Sequence, residues 1–408
     1  MKTCKDCNWC GDYKFCSPFK GKLRNYDGLR FTADGFDCAL PVGFDTFSTC
    51  SYGCLYCFSN FLSRDPHRKG EYKVGMQKLS FLDKFLTLDN ELVGREYRPM
   101  QNALKRSNGM RCPIQWGALG DPFDNIERWQ GVGPEIIKLF IKHNQPVRIS
   151  TKGGQVIQHP EYMEALSKRP ELFWCAFSII STDDEVLAQV DPGTPSSAER
   201  FKAMKALSKL GCKTSVRIRP IIPNVTDRTK KKRMIWKELL DKAKESGAEA
   251  VSMEFLFVPM VQPPHIKKRM IQLNRISGID LTAFYKKTSE KQGSCLRGSR
   301  WWKEDLVFEM KEHAKKIGLT FGISDPHWKE LNDSGCCCGI LPNDPIFGNW
   351  QRESATNRLI EAKANFEKTG EGKLYFKDIN PFWAKEVSLV GMVCITKAPG
   401  AFARKHAT

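Results

Sequence analysis

Short apolar strand candidates alternate with helix candidates along the middle of the chain, and this alternation limits the fold more than any other feature. Ile114–Leu119, Val147–Thr151, Phe173–Ile179, Thr214–Ile218 and Ala250–Phe255 read as strands bounded by turn residues. Between them Pro134–His143, Pro160–Lys168, Ser197–Leu210 and Arg228–Ser246 carry helical periodicity. Gly43–Phe47 is a further strand upstream, and Thr320–Ile323 extends the set. Strand-then-helix units need crossover connections, which makes the strands parallel. The expected fold class is α/β, closed as a partial (β/α)6 TIM-type barrel with its chemistry at the carboxyl ends of the strands.

The strand ends carry polar residues suited to that role. Gly120-Asp121 follows the second strand, Lys152 the third, Ser178 ends the fourth and Arg217 lies on the fifth. A lysine there can meet a carboxylate, and a serine can hydrogen-bond a ribose. The end of the first strand carries Cys50, Cys54 and Cys57 in C-x3-C-x2-C spacing, with Tyr52, Tyr56 and Phe58 among them. Thiolates are the usual ligands of iron–sulfur clusters, and three of them leave one iron of a four-iron cluster without a protein ligand. A structural zinc site fits less well, because it takes paired C-x2-C units and closed four-fold coordination.

The chain has 16 cysteines, no secretion signal and no apolar run long enough to span a membrane. A reducing, cytoplasmic setting follows as the expectation, with metal ligation favoured over disulfides. Cys4, Cys7, Cys10 and Cys16 run as C-x2-C-x2-C-x5-C, close to a ferredoxin run but with a longer last gap. An auxiliary cluster, a zinc ion and no metal are all open readings there. In Cys336-Cys-Cys338 adjacent side chains diverge if the chain is extended, so one or two of them, with Cys337 as the candidate, can join a second site. A hydrogen donor or redox-active thiol is the other reading. Residues 352–376 read as a polar amphipathic helix.

The formal charge of +18 points to a polyanionic partner. Lys230–Arg233, His265–Arg269 and Arg297–Lys303 concentrate it, and Arg300-Trp-Trp-Lys303 suits phosphate neutralisation with base stacking. For any single patch, a solvated helix face with core tryptophans is the plainer alternative.

The thiol spacing, with an aromatic residue before its last cysteine, resembles the radical SAM superfamily. From about Phe44 to Glu254 the chain resembles the spore photoproduct lyase branch of that superfamily. The closer resemblance rests on Gly120-Asp-Pro-Phe123 with Glu127, on Ser150-Thr-Lys152, on Ser178-Ile-Ile-Ser-Thr-Asp183, on Asp191–Arg200 and on Val216–Asn224. It implies a [4Fe–4S] cluster on Cys50, Cys54 and Cys57 whose open iron binds S-adenosylmethionine. A flavodoxin- or ferredoxin-type reductant would supply the electron that releases a 5′-deoxyadenosyl radical. Lys152 and Ser178 would contact S-adenosylmethionine, with Tyr56 near the adenine. The chain departs from the branch at Ala118, where the lyase has the cysteine that returns hydrogen to its product, so dimer repair by that route is not expected. The expected enzyme removes hydrogen from a thymine-like or modified base in DNA, with RNA next. The alternatives are a radical SAM enzyme acting on a peptide or small metabolite, with auxiliary clusters, and a non-catalytic zinc protein that binds nucleic acid. The expected organisation is a Cys-rich segment at 1–30, the partial barrel at 31–262 and an extension at 263–408.

Overall fold

The strands, in chain order, are β1 (Arg24–Tyr26), β2 (Leu29–Phe31), β3 (Val42–Phe44), β4 (Gly75–Gln77), β5 (Ile114–Trp116), β6 (Val147–Thr151), β7 (Phe173–Ser178), β8 (Lys213–Ile221), β9 (Ala250–Phe255), β10 (Phe257–Pro259), β11 (Ser289–Gln292), β12 (Cys295–Gly298), β13 (Thr320–Ile323), β14 (Lys373–Tyr375) and β15 (Met392–Cys394). The computed structural model describes residues 23–32, 40–59, 74–105, 110–227, 233–292, 295–334, 336–340, 344–347, 368, 373–375 and 392–394. The main sheet has the order β2-β3-β5-β6-β7-β8-β9-β13. Its neighbours are parallel except at the edge, where β2 runs antiparallel to β3. This is the expected alternating α/β architecture, and the open order shows no closure of the sheet on itself.

Period-two alternation gives the strands two unlike faces. Val147, Ile149, Phe173, Phe177, Val216, Ile218, Val251 and Met253 join Phe140, Leu166, Phe201, Met204, Leu239 and Met310 of the helices in one apolar core. The alternate positions hold Trp174, Ala176 and Ala250 but are otherwise largely polar, with Gln115, Arg148, Ser150, Ser215, Arg217 and Ser252. A strand covered on both faces normally reads as a continuous apolar run. Polar residues at most of these positions therefore mark a face that packs against something other than a helix.

The helices follow the expected pattern, with instructive shifts. Ser197–Leu210 has the expected bounds, held by a capping box between Ser196 and Glu199 and ended by Gly211 in the left-handed region. The helix expected from Arg228 instead spans Ile235–Glu245, and its first turn holds one acid, Glu238, and one base, Lys237. A run of lysines there would sit against the positive end of the helix dipole. In the expected helix at 352–376, Lys373–Tyr375 is a strand, β14, paired antiparallel with β15, and most of the remainder lies outside the described residues.

Both ends of the polar face are covered. At the amino end of the strands, the Trp174 indole N–H donates to Ser215 Oγ at 2.9 Å, and its ring meets Phe347 edge-on at 5.7 Å. The segment Cys336–Ile340 crosses β13 so closely that a Cβ on Gly322 would stand 2.7 Å from the Gly339 nitrogen and 2.9 Å from the Cys337 oxygen. At the carboxyl end, Tyr52, Cys54, Leu55 and Tyr56 form a second apolar cluster with Ile180, Ile222 and Leu256. Those three residues follow β7, β8 and β9, so the cysteine loop lies over the carboxyl ends of the strands. The helices Pro264–Ser277 and Leu281–Thr288 complete that cover through Ile266, Met270 and Leu281.

Candidate functional site

The loop from Cys50 to Cys57 leaves the end of β3 and is pinned from outside. The Ser51 N–H donates to Asp124 Oδ2, and the Asn125 N–H donates to Ser51 Oγ at 3.1 Å. Asp124 also caps the helix Asn125–Gln130. The Tyr52 hydroxyl donates to the Phe123 carbonyl at 3.2 Å. Gly53 and Leu55 donate backbone hydrogen bonds to Pro192 and Val190 at 3.1 and 2.9 Å, and Arg269 donates to the Cys54 carbonyl at 3.2 Å. The three thiols are electrostatic neighbours in series, Cys50 with Cys54 and Cys54 with Cys57. Burial pushes the Cys50 and Cys54 thiols well up, and nearby carboxylates add to the effect. Among the described residues, no group of three or more His, Cys, Asp or Glu is gathered as the ligand set of one metal ion.

Beside this loop stands a buried charge relay. Lys152 Nζ donates to the Tyr56 hydroxyl at 2.9 Å and lies 3.6 Å from Asp191 Oδ2. Asp191 is fully buried and also meets Arg200 Nη1 at 3.2 Å. Burial alone would raise the Asp191 carboxyl, but Lys152 and Arg200 outweigh it and hold the group below its ordinary range. Arg200 is itself fully fixed, donating to the carbonyls of Ser178 and Pro195 and to Thr194 Oγ1. Ser178 is thus tied through its carbonyl to the same relay that holds Lys152.

Gly120 and Asp121 serve the loop geometry. The Asp121 carboxylate accepts from Thr151 Oγ1 at 2.6 Å, from the Lys152 N–H and from the Phe123 N–H at 3.0 Å. It therefore aims the backbone that presents Lys152. The Gly120 and Leu119 N–H groups donate to Asp45, whose carboxylate pairs with Arg30 at 2.5 Å. Gly153 is required by close approach, since a Cβ there would stand 2.0 Å from the Phe123 carbonyl oxygen. Arg217 lies in register with Ser178 and Ser252 on the polar face.

Several expected site residues do not join this cluster. Cys4, Cys7, Cys10 and Cys16 lie outside the described residues. Cys337 lies beneath the polar face, its carbonyl accepting from Arg219 at 2.8 Å and from Ser252 at 2.6 Å. The basic-aromatic patch is largely folded into the interior. Trp302 packs against Phe255, Phe284 and Tyr285, while Lys303 is fully buried against Asp325, leaving Trp301 as the exposed ring. Asp45, Asp124, Asp191 and Arg200 were not singled out from sequence as site residues. The signal for the last two was the run Asp191-Pro-Gly-Thr-Pro-Ser-Ser-Ala-Glu-Arg200, whose spacing gave no sign that its first and last residues form an ion pair.

No family model matches the chain. Curated relatives in Mycobacterium bovis and Mycobacterium tuberculosis, described as uncharacterized proteins, are 24% identical over 215 residues, which is 52% of this chain and 56% of theirs. The chain thus spans about half the length of those relatives. Among solved structures, a cysteine-to-serine variant of spore photoproduct lyase superposes with a TM-score of 0.51 at 13% identity, covering 74% of this chain and 80% of that one. A tyrosine-to-phenylalanine variant of the same enzyme gives 0.50 at 14% identity over the same shares. The chain therefore shares the fold of those structures, a mostly parallel sheet alternating with helices. No described helix is long and apolar enough to cross a membrane.

Proposed function

We propose that this protein is a radical S-adenosylmethionine enzyme. The observation that carries the reading is the position of the Cys50, Cys54 and Cys57 loop, over the carboxyl ends of the strands and beside the Lys152–Tyr56–Asp191 relay. The donor chemistry fits an iron–sulfur cluster better than a single ion. A cubane binds each thiolate through its own iron, and the structure brings three thiols together on one loop as electrostatic neighbours. Bound there, a [4Fe–4S] cluster with S-adenosylmethionine would supply the 5′-deoxyadenosyl radical that removes hydrogen from substrate. The residues of the chain bind and aim. Lys152 takes the cofactor carboxylate, Tyr56 and Ser178 flank the nucleoside, and Asp121 and Gly120 hold the Lys152 loop in place. Arg217 completes the set from the polar face. A reductant of the flavodoxin or ferredoxin type serves the cluster, and Cys4, Cys7, Cys10, Cys16 and Cys337 are candidates for a second cluster or zinc. The working division remains 1–30, 31–262 and 263–408.

The favoured substrate is a thymine-like or modified base in DNA, supported by the charge of +18. One observation favours a small anionic metabolite instead, namely that Lys303 is buried and Trp302 is packed against Phe255, Phe284 and Tyr285, which leaves Trp301 as the exposed ring of the patch. Anaerobic purification followed by dithionite and S-adenosylmethionine tests the central reading. A brown protein with about four irons per chain or more and measurable 5′-deoxyadenosine is expected, with Cys54→Ala reducing product to background. Undiminished 5′-deoxyadenosine from Cys54→Ala contradicts the reading, and salt-sensitive DNA binding separates the two substrate classes.

A further inference from the structure

We propose that the polar face of the sheet holds a buried site for an oxyanion, a phosphate or a carboxylate carried by the substrate, with Arg148, Arg217 and Arg219 as its donors. Arg148 is 2% exposed. Its Nη1 donates to Gln115 Oε1 at 2.8 Å and to Ser150 Oγ at 3.2 Å, while its Nε and Nη2 are buried without a partner. The Arg217 side chain makes no hydrogen bond among the described residues, and its Nε is buried. Arg219 donates Nη2 to Ser252 Oγ and to the Cys337 carbonyl, leaving a buried Nε unpartnered. Arg217 is pressed by both Arg219 and Arg148, and Arg148 and Arg219 both act on the Cys338 thiol. Opposite them stand one carboxylate, Glu254, 4.0 Å from Arg219, and the thiols of Cys337 and Cys338.

Three guanidiniums with buried N–H groups left unpartnered among the described residues are an expensive arrangement for a fold to keep without a ligand. Guanidinium forks match the paired oxygens of phosphate and carboxylate, which gives the unpartnered N–H groups a natural acceptor. The cluster lies beneath the cysteine loop, so an anion bound there would hold the far end of a molecule whose reactive part faces the loop. That last step rests on the enzyme reading above, but the anion site itself does not.

The test uses the full chain, purified anaerobically, with inorganic phosphate, thymidine 5′-monophosphate, succinate and S-adenosylmethionine titrated separately by calorimetry. Saturable binding of phosphate or of the nucleotide assigns a phosphoryl group, and binding of succinate alone assigns a carboxylate. In either case Arg148→Met and Arg217→Met are expected to weaken binding at least about tenfold. Both variants should melt at or above the wild-type temperature without ligand, which a merely structural role would not allow. Arg217→Lys keeps the charge but loses the fork, and covers the case in which a methionine variant does not fold. The double variant Lys267→Ala/Lys268→Ala, on the surface helix, should bind as wild type does. Absence of saturable anion binding overturns the site, as does binding unchanged in the folded arginine variants. Weakened S-adenosylmethionine binding with phosphate and succinate binding untouched also overturns it, by giving the cluster to the cofactor. Because no turnover is measured, anion binding in Cys54→Ala separates this site from the radical chemistry.

Discussion

Glu127 allows a prediction in which the magnitude follows from one side chain. Its carboxyl is fully buried, with Oε1 accepting from the Tyr162 hydroxyl and from the Gly133 N–H at 2.6 Å, while Oε2 is buried without a partner. Burial raises its pKa from 4.5 to about 8, against the pull of those two hydrogen bonds. The folded state therefore keeps the proton through neutral pH, whereas the unfolded chain releases it above the ordinary value. Stability should fall as pH rises from 4.5 towards about 8. At 1.36 kcal/mol per tenfold, the loss is about 1 kcal/mol at pH 5, about 3 kcal/mol at pH 7 and about 4 kcal/mol at pH 8. Glu127→Gln keeps the acceptor for Tyr162 and Gly133 but cannot ionise. The difference in unfolding free energy between variant and wild type, from urea titrations at these three pH values, should grow by about 3 kcal/mol across the range. A difference that stays constant with pH refutes the reasoning, whatever its absolute value. The site feels the outcome, because Glu127 lies in the helix whose cap, Asp124, also holds Ser51 of the thiol loop.

Arg200→Met leaves Asp191 buried beside Lys152 alone and should cost about 3–5 kcal/mol. That difference should shrink in melts below about pH 4, because the Asp191 contribution is present above the ordinary carboxylate value and is lost as pH falls through its lowered one. Lys152→Met should weaken S-adenosylmethionine binding about tenfold or more in equilibrium titrations, while the Asp191–Arg200 pair keeps the fold intact. Gly153→Ala places a Cβ against the Phe123 carbonyl and should cost about 3 kcal/mol or more, read as a lower melting temperature.

The parallel α/β frame was legible because each strand carries apolar residues between turn signals and each helix is periodic. Ser197–Leu210 was legible to the residue, since its capping box and terminal glycine are local signals. What stayed hidden depended on direction. In Val147-Arg-Ile-Ser-Thr151 the alternation was present, but nothing local said that Arg148 is buried within reach of Arg217, two strands away on β8, and not on a solvated surface. The basic-aromatic run hid the same way, for Trp301 and Trp302 are one residue apart in sequence and about 100° apart on a helix. One is exposed and the other is half-buried against the core. The start of the helix at Ile235 was missed because its N-cap, Met234, offers no side-chain capping signal. Asp191 and Arg200 needed the fold to meet, since Thr194 and Pro195 bend the chain back between them.

The anchors of the thiol loop bear on what happens when metal is removed. A small zinc module is ordered by its ion, so the apo form unfolds. Here the loop is held by Asp124 through Ser51, by Phe123 through Tyr52, by Pro192 and Val190 through backbone pairs, and by Arg269 through the Cys54 carbonyl. None of these contacts passes through a sulfur. Tyr52, Leu55 and Tyr56 add apolar packing on Ile180 and Ile222. The loop is therefore organised ahead of any cluster, and cluster assembly should draw little on folding free energy. Chelation under mild oxidation should abolish the iron chromophore yet leave one cooperative melt within about 5 °C of the loaded protein, given that 1 kcal/mol moves a large domain by about 2–4 °C. Collapse of the far-ultraviolet signal on chelation would mean that metal, and not these hydrogen bonds, holds the carboxyl end of the sheet together.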